Sequence, residues 1–287
     1  MKLAVPVVFV TDDQFAAFCS VSIASLIANC DKTRPYLIYI FYDVLSQENK
    51  DKFSQMGQGN VTVEMVQVSR YVDRELLYVH YRQTVATYFR IFTVDALPHH
   101  DKVLYLDSDI VILGDIGELY DIDIGDNLLG ASVDCWDKDP KTWKSNKRSV
   151  EKDLKLPVST YFNAGILSMN LKQFRLQHTK EKCIAFLQAN RELRWMDQDV
   201  LNCVCRGSVF FFPRKWNKHQ TYVQDDFCME HSLGDTSIVH YQNSYKPCWV
   251  SIRQSHILFY QYTLFSPYRE ECTIIRNECV CYGDEFE

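Results

Sequence analysis

The chain has 287 residues, 47% of them hydrophobic, with only 10 Gly and 8 Pro, a balance that supports a large core and excludes a fibrous or disordered polypeptide. Its 31 Lys and Arg are outnumbered by 37 Asp and Glu, for a net charge of −6. No basic run concentrates the charge that phosphate-backbone binding needs, so nucleic acid is not an expected partner. The 11 cysteines are scattered with no regular framework, which suits free thiols in a reducing cytoplasm. No run approaches the ~18 apolar residues of a membrane-spanning helix.

Residues 4–10 open the chain as a strand rather than a signal peptide, because Thr11-Asp12-Asp13 follows at once with no small-residue cleavage site. Phe15 to Asn29 carries apolar residues at helical spacing, giving a strand, polar turn and helix with Asp12, Asp13 and Gln14 at the turn. In α/β proteins that turn is where ligands sit. Here it holds no Gly-x-Gly-x-x-Gly, so the dinucleotide fingerprint is missing. The spacing then predicts a strand over Tyr36–Tyr42, a helix over 46–56 opened by Ser46, a strand over Val61–Val66 and a helix over 84–96 that contains Arg90.

Residues 102–113, Lys-Val-Leu-Tyr-Leu-Asp-Ser-Asp-Ile-Val-Ile-Leu, are the most informative stretch. Two carboxylates, Asp107 and Asp109, interrupt two apolar runs, and burying them uncompensated would be costly. Carboxylates one residue apart at a strand end can direct oxygens at one divalent cation, which in turn suits a phosphate-bearing substrate. A solvated turn is the plainer alternative.

Further along, Asp115–Leu119 reads as a short helix, Leu128–Val133 as a strand ending at Asp134, and the polar residues 135–155 as a mobile loop. Tyr161 to Asn170 is strand-like, with a break at Asn163-Ala164-Gly165 where a ligand could approach the backbone. A long helix is predicted over 172–189, another from Met196 with Asp197, Gln198 and Asp199 in its first turn, and strands over Val209–Pro213 and Ser237–Tyr241. Acids at a helix start are ordinary dipole partners. His240 ends its strand as the aspartates end theirs, and Lys246-Pro247 follows. Cys203-x-Cys205 and Cys279-x-Cys281 lack the spacing and the His of a zinc module. One main domain over residues 1–249 is expected, with residues 250–287 as a small C-terminal helical appendage.

Taken together, Lys102 to Asp109, Tyr161-Phe-Asn-Ala-Gly165, Asp197-Gln-Asp-Val-Leu-Asn202 and His240 with Lys246-Pro247 resemble glycosyltransferase family 8, the family of bacterial lipopolysaccharide galactosyl- and glucosyltransferases and of glycogenin. The resemblance runs from about Val5 to Trp249. It implies an α/β GT-A fold: a mixed, mostly parallel, Rossmann-like sheet flanked by helices. It further implies a retaining hexosyltransferase that uses a UDP-galactose or UDP-glucose donor and Mn²⁺, with Mg²⁺ as second choice, on a saccharide or glycolipid acceptor; the cysteine usage and the lack of an apolar span make the expected location cytoplasmic. Asp107, Asp109 and His240 match the metal ligands, a set of oxygen and nitrogen donors suited to Mn²⁺. Asp12, Asp13, Gln14 and Phe15 match the uridine side. Arg90, Asp107, Ser108, Asp134, Asn163, Ala164 and Lys246 complete the donor contacts, Lys246 toward the diphosphate, and Gln198 and Asp197 stand at the reacting centre.

Two other readings compete. Asp-x-Asp after an apolar strand also occurs in haloacid-dehalogenase-like phosphohydrolases, although there it lies near the N-terminus. A non-catalytic sugar-nucleotide binding protein would keep the donor site without turnover. The acidic end, Tyr282-Gly-Asp-Glu-Phe-Glu287, repels anionic lipid, while the aromatic stretch from Trp249 to Tyr268 leaves a weak peripheral membrane contact open.

Overall fold

The computed structural model describes residues 2–77, 84–134, 140–219, 233–242, 246–247 and 256–272, with side chains described for all of these except 140–143. The core is a seven-stranded sheet in the order β3-β2-β1-β4-β7-β6-β8. Its strands are β1 (Val5–Val10), β2 (Tyr36–Tyr42), β3 (Val61–Gln67), β4 (Lys102–Leu106), β6 (Leu129–Val133), β7 (Phe162–Asn170) and β8 (Val209–Phe211). β7 runs antiparallel to both of its neighbours, and the other pairings are parallel. β1 and β4 are almost wholly buried, as expected of central parallel strands covered on both faces.

A second, three-stranded sheet is built from β5 (Ile110–Ile112), β9 (Lys218–His219) and β10 (Ile238–His240). The helix α1 (Ala16–Asn29) packs against it and is buried along most of its length. Three polar side chains on α1 hold the small sheet. Ser22 Oγ lies 2.8 Å from the carbonyl oxygens of both Ser108 and Ile110 and donates its single hydrogen between them, Ser25 Oγ accepts from Ile112 N at 2.9 Å, and Asn29 Nδ2 donates to Ile112 O at 2.9 Å. These bonds explain how Ser and Asn are accommodated inside a buried helix. The helix α2 (Gln47–Ser54) is capped by Ser46, whose hydroxyl accepts from Asn49 N.

Several sequence expectations change. The helix expected over 84–96 is a 3₁₀ segment, Val85–Phe92, followed by one α-turn, α3 (Thr93–Ala96). Three residues per turn align positions i and i+3, and this brings Thr87 and Arg90 to the same carboxylate, Asp197. After α4 (Ile116–Asp121), the loop expected over 135–155 is helical from residue 140: α5 (Pro140–Arg148) runs into a π-turn at Ser149–Asp153. It is anchored because Val150 is buried with Leu156 and Tyr161 in a satellite cluster; residues 135–139 lie outside the described set. The helix expected over 172–189 is two helices, α6 (Leu171–Leu176) and α7 (Thr179–Ala189), separated where His178 adopts φ +51°.

α8 (Met196–Val204) follows. α9 (His256–Thr263) lies in the expected appendage, and Leu258 and Phe259 join the cluster that contains α1. The expected boundary at 249/250 lies outside the described residues, as do Cys279 and Cys281. Cys205 is fully buried, and Cys203 and Cys205 are free thiols. No described helix is long and apolar enough to cross a membrane.

Candidate active site

The site forms where the two sheets meet. β4 ends at Leu106, and Asp107 stays tied to β7 through its own N–H, which donates to Gly165 O at 2.7 Å. Three residues later, at Ile110, the chain enters β5, whose antiparallel register places Ile110 opposite His240, and Tyr241 N donates to Asp109 O at 2.9 Å. Asp107 is thus placed by the large sheet and His240 by the small one, with Asp109 on the link between them. His240 Nε2 lies 3.2 Å from Asp109 Oδ1 and 3.7 Å from Asp107 Oδ2. One ligand atom from each residue falls within 4.8 Å of the others, and among the described residues this is the cluster able to hold a metal ion.

The donor set of two carboxylates and an imidazole fits a divalent cation bound through oxygen and nitrogen. A cation is already in contact with it, since the Lys246 ammonium is ion-paired with Asp109. Burial acts to raise the Asp109 pKa, yet Lys246 and His240 overcome it and hold the carboxyl well below the usual range. Asp109 therefore stays ionised although it is 7% exposed.

Arg90, taken alone in the sequence, would be an ordinary surface residue; here it is buried. Its guanidinium pairs with Asp107 Oδ1 at 3.0 Å and Asp197 Oδ2 at 2.9 Å, donates to Ala164 O, and lies 4.4 Å from the Tyr105 ring centre. It compensates two acids at once. Asp197 also accepts from Thr87 Oγ1, while burial pushes its pKa upward against the pull of Arg90. Asp197 therefore does more than face a helix dipole. Asp199 keeps the structural role expected at a helix start: it accepts from Trp195 N at 2.9 Å and from the Tyr161 hydroxyl at 2.5 Å.

Gln198 projects from the first turn of α8 toward β7. Its Oε1 accepts from Ala164 N at 3.0 Å and Asn163 Nδ2 at 3.2 Å, and its Nε2 donates to Asp134 Oδ2 at 3.0 Å. The backbone N–H of Ala164 can only donate, so the orientation of the Gln198 amide is determined. Asp134 is brought to the same place from the end of β6 by its N–H bond to Tyr161 O at 2.9 Å.

The break at Asn163-Ala164-Gly165 proves to be a continuous, buried part of β7. The close approach expected of a ligand at Gly165 is made by the side chains of Asp107 and His240.

On the β1 side, Asp12 Oδ1 accepts from Phe15 N at 2.9 Å, and Asp13 Oδ1 accepts from Ser46 N at 2.9 Å and Asn49 Nδ2 at 2.6 Å. The turn is therefore braced against α2, with Gln14 exposed. Ser108 Oγ donates to Val10 O at 2.5 Å, and the Phe15 ring lies 5.9 Å from Lys246 Nζ. One connected region thus gathers Asp107, Asp109, His240, Lys246, Arg90, Asp197, Gln198, Asp134, Asn163 and Ala164, with residues 12–15 and Ser108 along its edge. Sequence reasoning missed Thr87, Tyr161 and Asn217 as members. Asn217 carries no motif; only its position just before β9 brings it beneath His240.

Residues 6–252 match the family model described as Glycosyl transferase family 8. The chain is 31% identical over 243 residues to the lipopolysaccharide 1,3-galactosyltransferase of Salmonella typhimurium, covering 82% of this chain and 70% of the relative. It is 28% identical over 250 residues to a lipopolysaccharide 1,2-glucosyltransferase of Escherichia coli, again covering 82% and 70%. Among solved structures it resembles the bifunctional glycosyltransferase WbbM in its apo form, with a TM-score of 0.82 and 26% identity over 96% of this chain. It spans about half of that protein, 52% of its chain. The galactosyltransferase LgtC, solved with donor and acceptor sugar analogues, has a TM-score of 0.70 at 22% identity, with 96% of each chain covered, a likeness that speaks to the fold. The fold is GT-A, and the chain belongs to glycosyl transferase family 8.

Proposed function

We propose that this member of glycosyl transferase family 8 moves a galactosyl or glucosyl unit from a UDP-sugar to a saccharide or glycolipid acceptor of a bacterial surface glycan, such as lipopolysaccharide, with Mn²⁺ and with retention of anomeric configuration. The observation that carries the reading is the convergence of Asp107, Asp109 and His240, with a cation, Lys246, paired to Asp109 and an ordered amide, Gln198, alongside. The names of the bacterial relatives support the hexose and the acceptor class.

Asp107, Asp109 and His240 would hold the metal, which when bound supplies positive charge to the departing diphosphate. Lys246, on its flexible stem, exchanges Asp109 for phosphate oxygens and adds to that stabilisation. Asp12, Asp13, Gln14 and Phe15 line the uridine side. Ser108, Arg90, Asp134, Asn163 and Ala164 frame the sugar and its link to the phosphates.

Gln198 is an amide and a poor covalent nucleophile, and its oxygen is held by two N–H donors. It suits electrostatic support of a developing oxocarbenium ion. Asp197 is engaged by Arg90 and Thr87, which disfavours it as a covalent nucleophile. We therefore favour attack from the face of the leaving group, with the departing phosphate oxygen accepting the acceptor's proton, over double displacement through a carboxylate. We take the compartment to be cytoplasmic, where the six described free cysteines would stay reduced. A weak peripheral membrane contact through residues 249–268 is part of the same proposal, since Leu264 and Phe265 are exposed.

The test is a panel of nucleotide sugars assayed by slow donor hydrolysis, which needs no acceptor. Hydrolysis of UDP-galactose or UDP-glucose that requires Mn²⁺, stops with chelator and is lost in Asp109→Asn is the expected result. Turnover of simple phosphomonoesters with no UDP-sugar hydrolysis would support the phosphohydrolase instead. UDP binding with no turnover, in the presence of saccharide acceptors as well, would leave a binding protein.

A further inference from the structure

His240 can serve as a ligand through Nε2 only if that nitrogen carries a lone pair, so the proton of the neutral ring must reside on Nδ1. What decides this lies behind the ring. His240 Nδ1 is 3.0 Å from Asn217 Oδ1, and Asn217 is 4% exposed. Asn217 Nδ2 donates to Asn163 Oδ1 at 2.9 Å, and Asn163 Oδ1 also accepts from the backbone N–H of Gly165 at 3.0 Å.

Polarity can be followed along this chain from its one immutable member. A backbone N–H can only donate, so the Asn163 atom facing Gly165 is oxygen. That oxygen has no hydrogen to offer, so the Asn217 atom facing it is the NH₂ group. The other end of the Asn217 amide is then oxygen, and it can only accept from His240. A proton is thereby assigned to Nδ1, so Nε2 is the nitrogen whose lone pair is available to a metal held with Asp107 and Asp109.

We infer that Asn217 is a positioning residue that sets the tautomer of His240, with Asn163 and the Gly165 N–H as the reference that orients Asn217. The inference rests on reading His240 as a metal ligand. Hydrogen bonding to the far nitrogen of a ligating imidazole is the recurrent way in which such rings are oriented. The terminal amide of Gln242, whose Nε2 lies 3.1 Å from Nδ1, must turn by 180° to accept from the same N–H. If Asn217 is removed, the unturned amide can instead donate to Nδ1 and drive the proton onto Nε2, against the carboxylates.

The test compares the full chain with Asn217→Leu and Asn217→Asp, all labelled with ¹⁵N-histidine, with His240→Gln used to identify the His240 signals. Long-range ¹H–¹⁵N spectra of the metal-free proteins, recorded at about pH 8 where an unperturbed imidazole is neutral, read the tautomer directly. Mn²⁺ titration followed by electron paramagnetic resonance reads affinity without turnover. The wild-type ring is expected with its proton on Nδ1. Asn217→Leu is expected to move the proton to Nε2 and to weaken Mn²⁺ about 10- to 100-fold, the usual cost of losing such a bond. Asn217→Asp keeps an acceptor for Nδ1–H, so it should restore the tautomer and most of the affinity, although its second oxygen opposes Asn163 Oδ1 and will lower stability.

A wild-type ring protonated on Nε2 alone, or an Asn217→Leu protein that keeps both the Nδ1 proton and its Mn²⁺ affinity, overturns the inference. If Asn217→Leu does not fold, the wild-type and Asn217→Asp spectra decide it. A wild-type protein with the expected tautomer but no Mn²⁺ binding would overturn the metal reading alone.

Discussion

Gly165 and His240 occupy neighbouring strands of different sheets, and the absence of a side chain on one is the space used by the other. A Cβ built on Gly165 would lie 2.3 Å from Cε1 of His240 and 2.7 Å from Oδ2 of Asp107, far inside van der Waals contact. The glycine is required by this close approach, since its φ lies outside the left-handed region.

Gly165→Ala should therefore uncouple the site from the fold. The added methyl has to displace the imidazole or the Asp107 carboxylate, so loss of at least 100-fold in Mn²⁺ affinity and in donor hydrolysis is expected, well beyond the effect of one weakened contact. Far-ultraviolet circular dichroism and Mn²⁺ titration of the variant make the check. An alanine variant with unaltered metal affinity would contradict the described packing.

Arg90 should matter to stability as well as to catalysis. Its removal leaves Asp107 and Asp197 without their shared cation, and breaking a buried pair typically costs about 3–5 kcal/mol. Arg90→Leu is expected to fall in this range by urea denaturation, and Arg90→Lys to recover only part, because an ammonium cannot match the fork that spans Asp107, Asp197 and Ala164 O. A loss below about 1 kcal/mol for Arg90→Leu, a value typical of exposed pairs, would show that the guanidinium is not compensating these acids.

Gln198 separates the two mechanisms by which the proposed retention could arise. If its amide only stabilises developing charge, Gln198→Ala should slow turnover by about 10²–10³, the usual effect of removing one such dipole, while an α-linked donor still yields an α-linked product. The anomeric proton in the NMR spectrum reads the linkage. A β-linked product from the unaltered enzyme would rule out retention. A glycosyl adduct on Asp197 in intact-protein mass spectra would restore double displacement.

Acid should destabilise the protein partly through His219. Burial, reinforced by His240, lowers its pKa to about 4 from an ordinary 6.5. The folded state thus binds fewer protons than the unfolded state between these values, and stability from this residue is fully present above pH 6.5 and declines as the pH falls toward 4. The full effect is on the order of 3 kcal/mol at about 1.4 kcal/mol per unit. His219→Gln should flatten the stability–pH curve in that window relative to the wild type. The raised pKa values of Asp197 and Asp199 act in the opposite sense in both proteins and cancel in the comparison. Parallel curves for the two proteins would refute the assignment.

What the sequence determined by itself is the order of elements and the chemistry gathered at the strand ends. Apolar runs identified β1, β2 and β4, because burial on both faces demands continuous hydrophobic segments, and alternation identified β3, a half-exposed strand at the sheet edge. The unfavourable burial of acid made Asp107 and Asp109 conspicuous between two such runs. Tertiary structure decided the rest, for reasons no local pattern contains. The 3₁₀ winding at Thr87 and Arg90 serves a carboxylate more than a hundred residues away. The two sheets converge on Asp109 only through the antiparallel register of β5 and β10. Asn217 is an unremarkable polar residue until β9 lies beside β10 and carries it beneath His240. A side chain's hydrogen-bonding role depends on which partner reaches it, and here those partners arrive from elements distant in sequence.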